Sequence, residues 1–252
     1  MTLQSLIDAL IPVAREAGAC IMAVHAKPVD ATLKGDGSPV TEADSAAEAV
    51  ILAALARIAP GIPVVSEENA ASHLLAPPRR FFLVDPLDGT KEFIKRDGKG
   101  SFTVNIALIE DGVPVLGLVF APALNRLFTG AAGLGATEDK GHGPRPITVR
   151  RAGAMRVAVA SASHRDAATD AWLSAEGINQ TVSIGSSLKF CLVAAAEADV
   201  YPRFGPTMEW DTAAGDAVLR AAGGMVRLPE GGMFPYGKPG YRNGGFIARG
   251  GA

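Results

Sequence analysis

Apolar residues Leu3, Leu6, Ile7, Leu10, Ala14, Ala17, Ile21 and Val24 recur at steps of three and four. That spacing lines one face of an amphipathic helix, in which Pro12 would introduce a kink. "KGDGSPV" (34–40) follows as a loop, and "TEADSAAEAVILAALARIA" (41–59) predicts a second helix. Thr41 is placed to cap it, with Asp44 three residues on. The pattern then shortens to brief apolar runs: "IPVV" (62–65), "FFLV" (81–84), "FTVNIALI" (102–109), "VPVLGLVFA" (113–121) and "RLFTGA" (126–131). Such runs separated by turn residues predict the strands of a sheet, with "EDGVP" (110–114) as a hairpin connection.

From about Met155 the pattern alternates. Strands are predicted at "RVAVA" (156–160), "TVSIG" (181–185), "DVYPR" (199–203) and "GMVRL" (224–228). Helices fall between them at "AATDAWLSAEG" (167–177), "SSLKFCLVAAAEA" (186–198) and "DTAAGDAVLRAAG" (211–223). Alternation of this kind implies an α/β layer with largely parallel strands. The chain thus reads as an N-terminal α+β half, 1–150, and a C-terminal α/β half, 151–252.

Composition narrows the classes. The 252 residues are 48% apolar and 20% charged, enough for a substantial core. A net charge of -2 argues against a nucleic-acid binder held by a basic face. Cys20 and Cys191, in apolar helical segments, read as buried reduced thiols. The N-terminus lacks the form of a signal peptide, and no run approaches the ~18 apolar residues of a membrane span. A soluble, cytoplasmic protein is expected.

The chemistry begins at "FFLVDPLDGTKEFI" (81–94), where a buried strand runs into Asp85 and Asp88 and then Gly89-Thr90. Asp-Pro and Asp-Gly are ordinary turn dipeptides, so a plain corner is one reading. In the other, the bend aims Asp85, Asp88 and the Leu87 carbonyl at one point. Three hard oxygen donors suit Mg²⁺, and a helix opened by Gly89 and Thr90 suits a phosphate. Glu67 and Glu68 end another strand, where a solvated acidic loop is the alternative. Asp211 precedes an Ala-rich helix it could simply cap, and Asp44 could simply complete a capping box.

Taken together, Glu67-Glu68, "DPLDGT" (85–90) and "WDTAAG" (210–215) resemble the signature of the Mg²⁺-dependent, lithium-sensitive phosphatases of the inositol monophosphatase superfamily. The extensions "GSPVTEAD" (37–44), "DGTKEFI" (88–94), "FTVNIALI" (102–109), "GSSLKFCLVA" (185–194) and "YPRFGPTMEWDTAAG" (201–215) are most similar to its bacterial 3'(2'),5'-bisphosphate nucleotidases. The likeness covers most of the chain and is weakest over 69–80 and 130–146.

The resemblance implies a layered α/β fold of alternating α-β-α-β-α type. It implies two or three Mg²⁺ ions held by Glu67, Asp85, Asp88, Asp211 and the Leu87 carbonyl, with Li⁺ as an inhibitor. Thr90 and Asp44, assisted by Glu67, would orient and deprotonate the attacking water. Gly89 and Thr90 would hold the cleaved phosphate, and Ser186, Lys189 and Arg203 the second one, with His164 a further substrate-side residue. Surface charge is the plain alternative for Lys189 and Arg203, a cap for Ser186 and a loop residue for His164, although Lys189 interrupts an otherwise apolar helix. The implied reaction converts 3'-phosphoadenosine 5'-phosphate to AMP and phosphate in sulfate assimilation, with the sulfated form of that nucleotide as a second substrate. Inositol monophosphatase or fructose-1,6-bisphosphatase activity shares the metal motifs, and a non-catalytic metal-dependent phosphate-binding module is the rival outside enzymology. A monomer is favoured over a homodimer, and peripheral attachment at the inner membrane face is kept as a family-level option.

Overall fold

The computed structural model describes residues 1–27, 31–33, 39–74, 76–96, 98, 100–161 and 165–251. Helix α1 (Leu3–His25) starts at a Thr2 cap and runs without a break through the exposed Pro12. Strands β1 (Ala31–Leu33) and β2 (Pro39–Thr41) pair antiparallel around the predicted loop, most of which lies outside the described residues. Helix α2 (Glu42–Ile58) opens with the predicted capping box of Thr41 and Asp44.

A seven-stranded sheet follows, in the spatial order β3 (Val64–Ser66), β4 (Arg80–Asp88), β5 (Thr103–Glu110), β6 (Val113–Ala121), β7 (Arg126–Ala131), β8 (Gly135–Asp139) and β9 (Arg145–Ile147). The β5–β6 hairpin turns at Asp111 and Gly112, both at positive φ, as a two-residue turn of matching twist requires. Short helix α3 (Thr90–Lys95) sits between β4 and β5.

The second sheet contains β10 (Val157–Ser161), β11 (Gln180–Ile184) and β12 (Val200–Arg203). Helices α4 (Ala167–Ala175) and α5 (Leu188–Ala194) connect them. The short β13 (Thr207–Met208) then leads to α6 (Ala213–Ala221) and β14 (Met225–Arg227). The chain ends with β15 (Arg242–Asn243), paired to β13, and β16 (Phe246–Arg249).

The order of this sheet is β11-β10-β12-β16-β14. The expectation of largely parallel strands holds for β10 with β11 and β12, which are joined through helices. It fails at β16, which is antiparallel to both β12 and β14. The reason is the connection: β14 returns through loop and 3-10 turn rather than a helix, and a reversed strand needs no crossover.

Three apolar clusters fill the four interfaces between five layers, the central one spanning two of them. Leu6, Leu10, Ile51 and Leu55 of α1 and α2 pack on Phe82, Ile106 and Leu118 of the first sheet. Phe81, Ile109 and Phe128 on its other face meet Phe190 of α5 and Val218 and Leu219 of α6, which continue to Tyr201 and Phe246 of the second sheet. Leu173 of α4 closes the outside against Val200 and Ile247. The layering is α-β-α-β-α. Cys191 is buried here, as expected, whereas Cys20 is only half-buried because its position in α1 lies beside the apolar face.

Candidate active site

Along an ordinary strand, side chains three positions apart point to opposite faces. Asp85 and Asp88 escape this rule through a bulge. Asp85 pairs with Asn105 and Asp88 with Thr103, so three steps on β4 match two on β5. The extra residue restores a common direction. The Leu87 N–H donates to Asp85 Oδ1 at 3.0 Å, which fixes the bend from within. Gly89, at φ +90°, then turns the chain into α3; a Cβ there would stand 3.0 Å from the Ser101 carbonyl oxygen. The corner and the site are therefore one feature.

Glu67 enters from the end of β3, and Asp211 from the turn before α6. Carboxylate oxygens of Glu67, Asp85 and Asp211 lie within 4.8 Å of one another. Asp211 does not cap the helix: Thr212 holds that place, and Asp211 Oδ2 accepts from the Met208 N–H at 3.0 Å. Burial first, and then the charges of Glu67, Asp88 and Asp211, push the Asp85 carboxyl well above the usual range. Burial and the charges of Asp88 and Glu67 do the same to Asp211. Asp88 rises to about 6, mainly through burial, with Lys189 and the Ser187 N–H opposing the rise. Hard oxygens that converge at one place, from the buried Asp85 and the half-buried Glu67 and Asp211, fit divalent cations of the Mg²⁺ type.

Asp44 serves the helix cap and the cleft with different oxygens. Its Oδ2 accepts from the Thr41 N–H and hydroxyl, both at 2.8 Å. Its Oδ1 accepts from Thr90 Oγ1 at 3.3 Å, and that hydroxyl also lies 3.2 Å from the Leu87 carbonyl. Glu68 does not join the cleft lining.

The opposite wall comes from the second sheet. The cleft measures about 240 Å³, and its lining joins Glu67, Asp85, Leu87, Asp88, Gly89, Thr90 and Asp211 to Ser186, Lys189 and Arg203. Lys189 is 3% exposed, donates to the Ser186 carbonyl and lies 5.2 Å from the Tyr201 ring centroid. Burial lowers its ammonium to about 8, with Asp88 pulling the other way. A surface-charge reading of Lys189 is excluded by that burial. Ser186 takes φ +54° and its Oγ accepts from the Leu188 N–H, but Ser187 is the residue at the helix cap position. Arg203, half-buried, donates to the carbonyls of Gly205 at 3.3 Å and Pro206 at 2.8 Å. His164 lies outside the described residues.

Sequence reasoning missed several cleft-lining residues, notably Glu92, Ser187, Tyr201 and Thr212. Glu92 is 7% exposed, and a Cβ on Gly185 would fall 2.7 Å from its Cγ. One signal was available: "SFTVNI" alternates polar Ser101, Thr103 and Asn105 with apolar neighbours inside a buried strand.

Five alternating layers surround an acid cluster at a strand bulge, faced by a buried cation. The chain belongs to the inositol monophosphatase family, whose model matches residues 2–249. It is 50% identical over 234 residues to "3'(2'),5'-bisphosphate nucleotidase CysQ" of Salmonella typhimurium, covering 92% of this chain and 94% of that relative. Among solved structures, CysQ from Bacteroides thetaiotaomicron matches at a TM-score of 0.84 and 37% identity, over 99% of this chain and 98% of that one. The inositol monophosphatase from Anabaena matches at a TM-score of 0.80 and 28% identity, covering 100% and 92%.

Proposed function

We propose that the chain is a 3'(2'),5'-bisphosphate nucleotidase that hydrolyses the 3'-phosphate of 3'-phosphoadenosine 5'-phosphate, giving AMP and phosphate. The observation that carries this reading is the pairing of two unlike features across one cleft. Glu67, Asp85 and Asp211 converge on one wall, and the buried Lys189 faces them from the other. A monophosphate substrate needs only the first, whereas a bisphosphate has a use for both. The 50% identity to a bisphosphate nucleotidase points the same way.

Glu67, Asp85, Asp88, Asp211 and the Leu87 carbonyl would hold two or three Mg²⁺ ions. When bound, Mg²⁺ would acidify the attacking water and neutralise charge on the phosphoryl and leaving oxygens. Thr90 Oγ1 points its proton at Asp44 Oδ1 or the Leu87 carbonyl, which leaves its lone pair to orient the water. Asp44 Oδ1, the oxygen the cap does not use, is the acceptor for the water's proton, with Glu67 assisting. Gly89 and Thr90 take the cleaved phosphate. Ser186, Lys189, Arg203 and His164 take the nucleotide side, and attack is in line without a phosphoenzyme.

A monomer is the proposed working form. Among the described residues no helix is long and apolar enough to cross a membrane. Cytoplasmic work in sulfate assimilation and inhibition by Li⁺ complete the proposal. The test is phosphate release from 3'-phosphoadenosine 5'-phosphate, inositol-1-phosphate and fructose-1,6-bisphosphate in parallel, with Mg²⁺, with EDTA and with Mg²⁺ plus Li⁺. The expected result is metal-dependent, lithium-suppressed turnover of the nucleotide far above the others. Comparable or reversed kcat/KM values would overturn the substrate assignment.

A further inference from the structure

The strand β5 carries a row of polar side chains where the fold calls for apolar ones. Ser101, Thr103 and Asn105 are each no more than 1% exposed and lie on alternate positions, one before the strand and two within it. The intervening Phe102, Val104 and Ile106 belong to the core beneath α1 and α2. Farther along the polar side, Ala107 and Ile109 return to the central core. Burying hydroxyls and an amide is costly unless each finds a partner.

The partners lie in the turn that leads into α5. The Gly185 N–H donates to Ser101 Oγ at 3.3 Å. Ser187 Oγ donates to Asn105 Oδ1 at 2.5 Å and lies 3.0 Å from Thr103 Oγ1. Asn105 Nδ2 in turn donates to Thr103 Oγ1 at 3.3 Å. The same Ser187 sends its backbone N–H to Asp88 Oδ2 at 2.6 Å, while Ser186, next to it, holds Lys189 through its carbonyl. Asp85 and Asp88 are the register partners of Asn105 and Thr103 on β4. One buried network therefore ties the bulge that carries the acids to the turn that carries the cation, although the two come from different sheets.

We propose that Asn105 and Ser187 are positioning residues that hold Asp88 and the 185–189 turn as one unit, so that metal binding and capture of the second phosphate depend on the same hydrogen bonds. Neither residue needs to touch substrate for this role. Asn105 supplies the acceptor that fixes the Ser187 hydroxyl, and Ser187 fixes both the Asp88 carboxylate and the origin of Lys189. The substrate half of this inference rests on the nucleotidase reading; the metal half does not.

The experiment compares wild type with Ser187→Ala, Thr103→Val and Asn105→Ala. Mg²⁺ is titrated by its rise in Tm without substrate, and KM and kcat for 3'-phosphoadenosine 5'-phosphate are measured at saturating Mg²⁺. Loss of a hydrogen bond that orients a metal ligand costs about 10–100-fold in metal affinity. Ser187→Ala keeps the backbone bond to Asp88 and removes only the hydroxyl that anchors the turn to Asn105 and Thr103, so it is expected to raise the half-saturating Mg²⁺ concentration by less, about three- to tenfold. It should raise KM by a similar factor, with kcat falling much less. Thr103→Val, which deletes only a hydroxyl, should move both quantities in the same direction by less. Ser187→Thr should restore both, since it keeps the hydroxyl.

A shift in Mg²⁺ midpoint without a shift in KM, a shift in KM alone, or no shift in either would overturn the proposal. If Asn105→Ala fails to fold, the two hydroxyl deletions decide the matter. If wild type turns over inositol-1-phosphate instead of the nucleotide, the nucleotidase reading falls. The Mg²⁺ titration and the Lys189 turn's affinity for inorganic phosphate, read by the same Tm method, then replace KM, with the same outcomes supporting or overturning the proposal.

Discussion

The stretch "TMEWDTAAGD" supplies Glu209 and Asp216 to one group of acids and Asp211 to another, and the two groups are built in opposite ways. Behind the cleft, Asp216 is fully buried and accepts from Arg220 at 2.6 and 3.1 Å and from the Tyr236 hydroxyl at 3.1 Å. Glu209, also fully buried, accepts from the Gly237 and Lys238 N–H groups at 2.7 and 3.0 Å and pairs with the Lys238 ammonium. In the cleft, Asp85 and Asp211 face Glu67 and each other. The first group carries its own counter-charge and serves the fold. The second sets acids against acids and is the one the proposed Mg²⁺ would complete. Burial and negative charge are common to both, so the difference lies in the partners, and it marks which acids are available for chemistry.

The sharpest way to break that comparison is to neutralise one member of each group. Asp85→Asn keeps an acceptor for the Leu87 N–H and should cut kcat/KM by about 10²–10³-fold, the size of losing one preorganised electrostatic partner. The same variant in EDTA at pH 7.5 should be more stable than wild type by about 1 kcal/mol, or roughly 2–4 °C in Tm. The direction follows from the raised carboxyls of Asp85, Asp88 and Asp211. A folded state that holds protons the unfolded chain has released is most stable below about pH 4. It loses that stability as pH rises through the folded values, about 6 for Asp88. Metal-free wild type should therefore weaken from pH 4 towards pH 8, and Mg²⁺ should reverse the trend. A flat profile in EDTA would contradict the acid-against-acid picture.

Arg220→Met should behave in the opposite sense. Leaving Asp216 buried and unpaired costs about 3–5 kcal/mol of stability, read by urea unfolding, at every pH above the carboxylate range. Equal stability would show that the rear network is not self-contained. On the substrate wall, Lys189→Met should lower kcat/KM for the bisphosphate by about 10–100-fold, the worth of one or two charged hydrogen bonds. A monophosphate should lose much less.

The smallest effect is expected far from the cleft, at Asp199. It accepts from Arg150 at 2.8 and 2.9 Å and from the Val157 N–H at 2.7 Å, and the Arg150 bonds hold its carboxyl below the usual range. A depressed folded value contributes stability that is complete above about pH 4 and lost as pH falls through it, on the order of 1 kcal/mol. Asp199→Asn should flatten only this acid limb of the stability curve and leave the metal-dependent behaviour at pH 6–8 unchanged. An altered response to Mg²⁺ would blur the distinction between the two kinds of acid.

The amino-acid pattern alone carried much of the outline. The three-and-four spacing from Leu3 to Val24 specifies α1 because apolar stripes at that period have one helical solution. The Asp111-Gly112 turn is local backbone chemistry. Thr41 and Asp44 form the capping box that their spacing predicts. "DPLDGT" announces a sharp corner after a buried strand for the same reason, since proline, aspartate and glycine restrict the backbone within a few residues. What none of these stretches contains is information about what they meet across the fold. Asp211 looked like a cap, and only the placement of Thr212 at the helix start released it for the cluster. Asp44 looked like either a cap or a base, and separate oxygens let it face both ways. Lys189 is an oddity in its helix until the second sheet brings it opposite Asp88. The parity of Asp85 and Asp88 depended on a bulge measured against β5, and the antiparallel β16 depended on the last strand's place between β12 and β14. Local dihedral preference and periodicity act within one segment and are written in it. Convergence of charge, register and burial arises between segments distant in the chain, and only packing decides it.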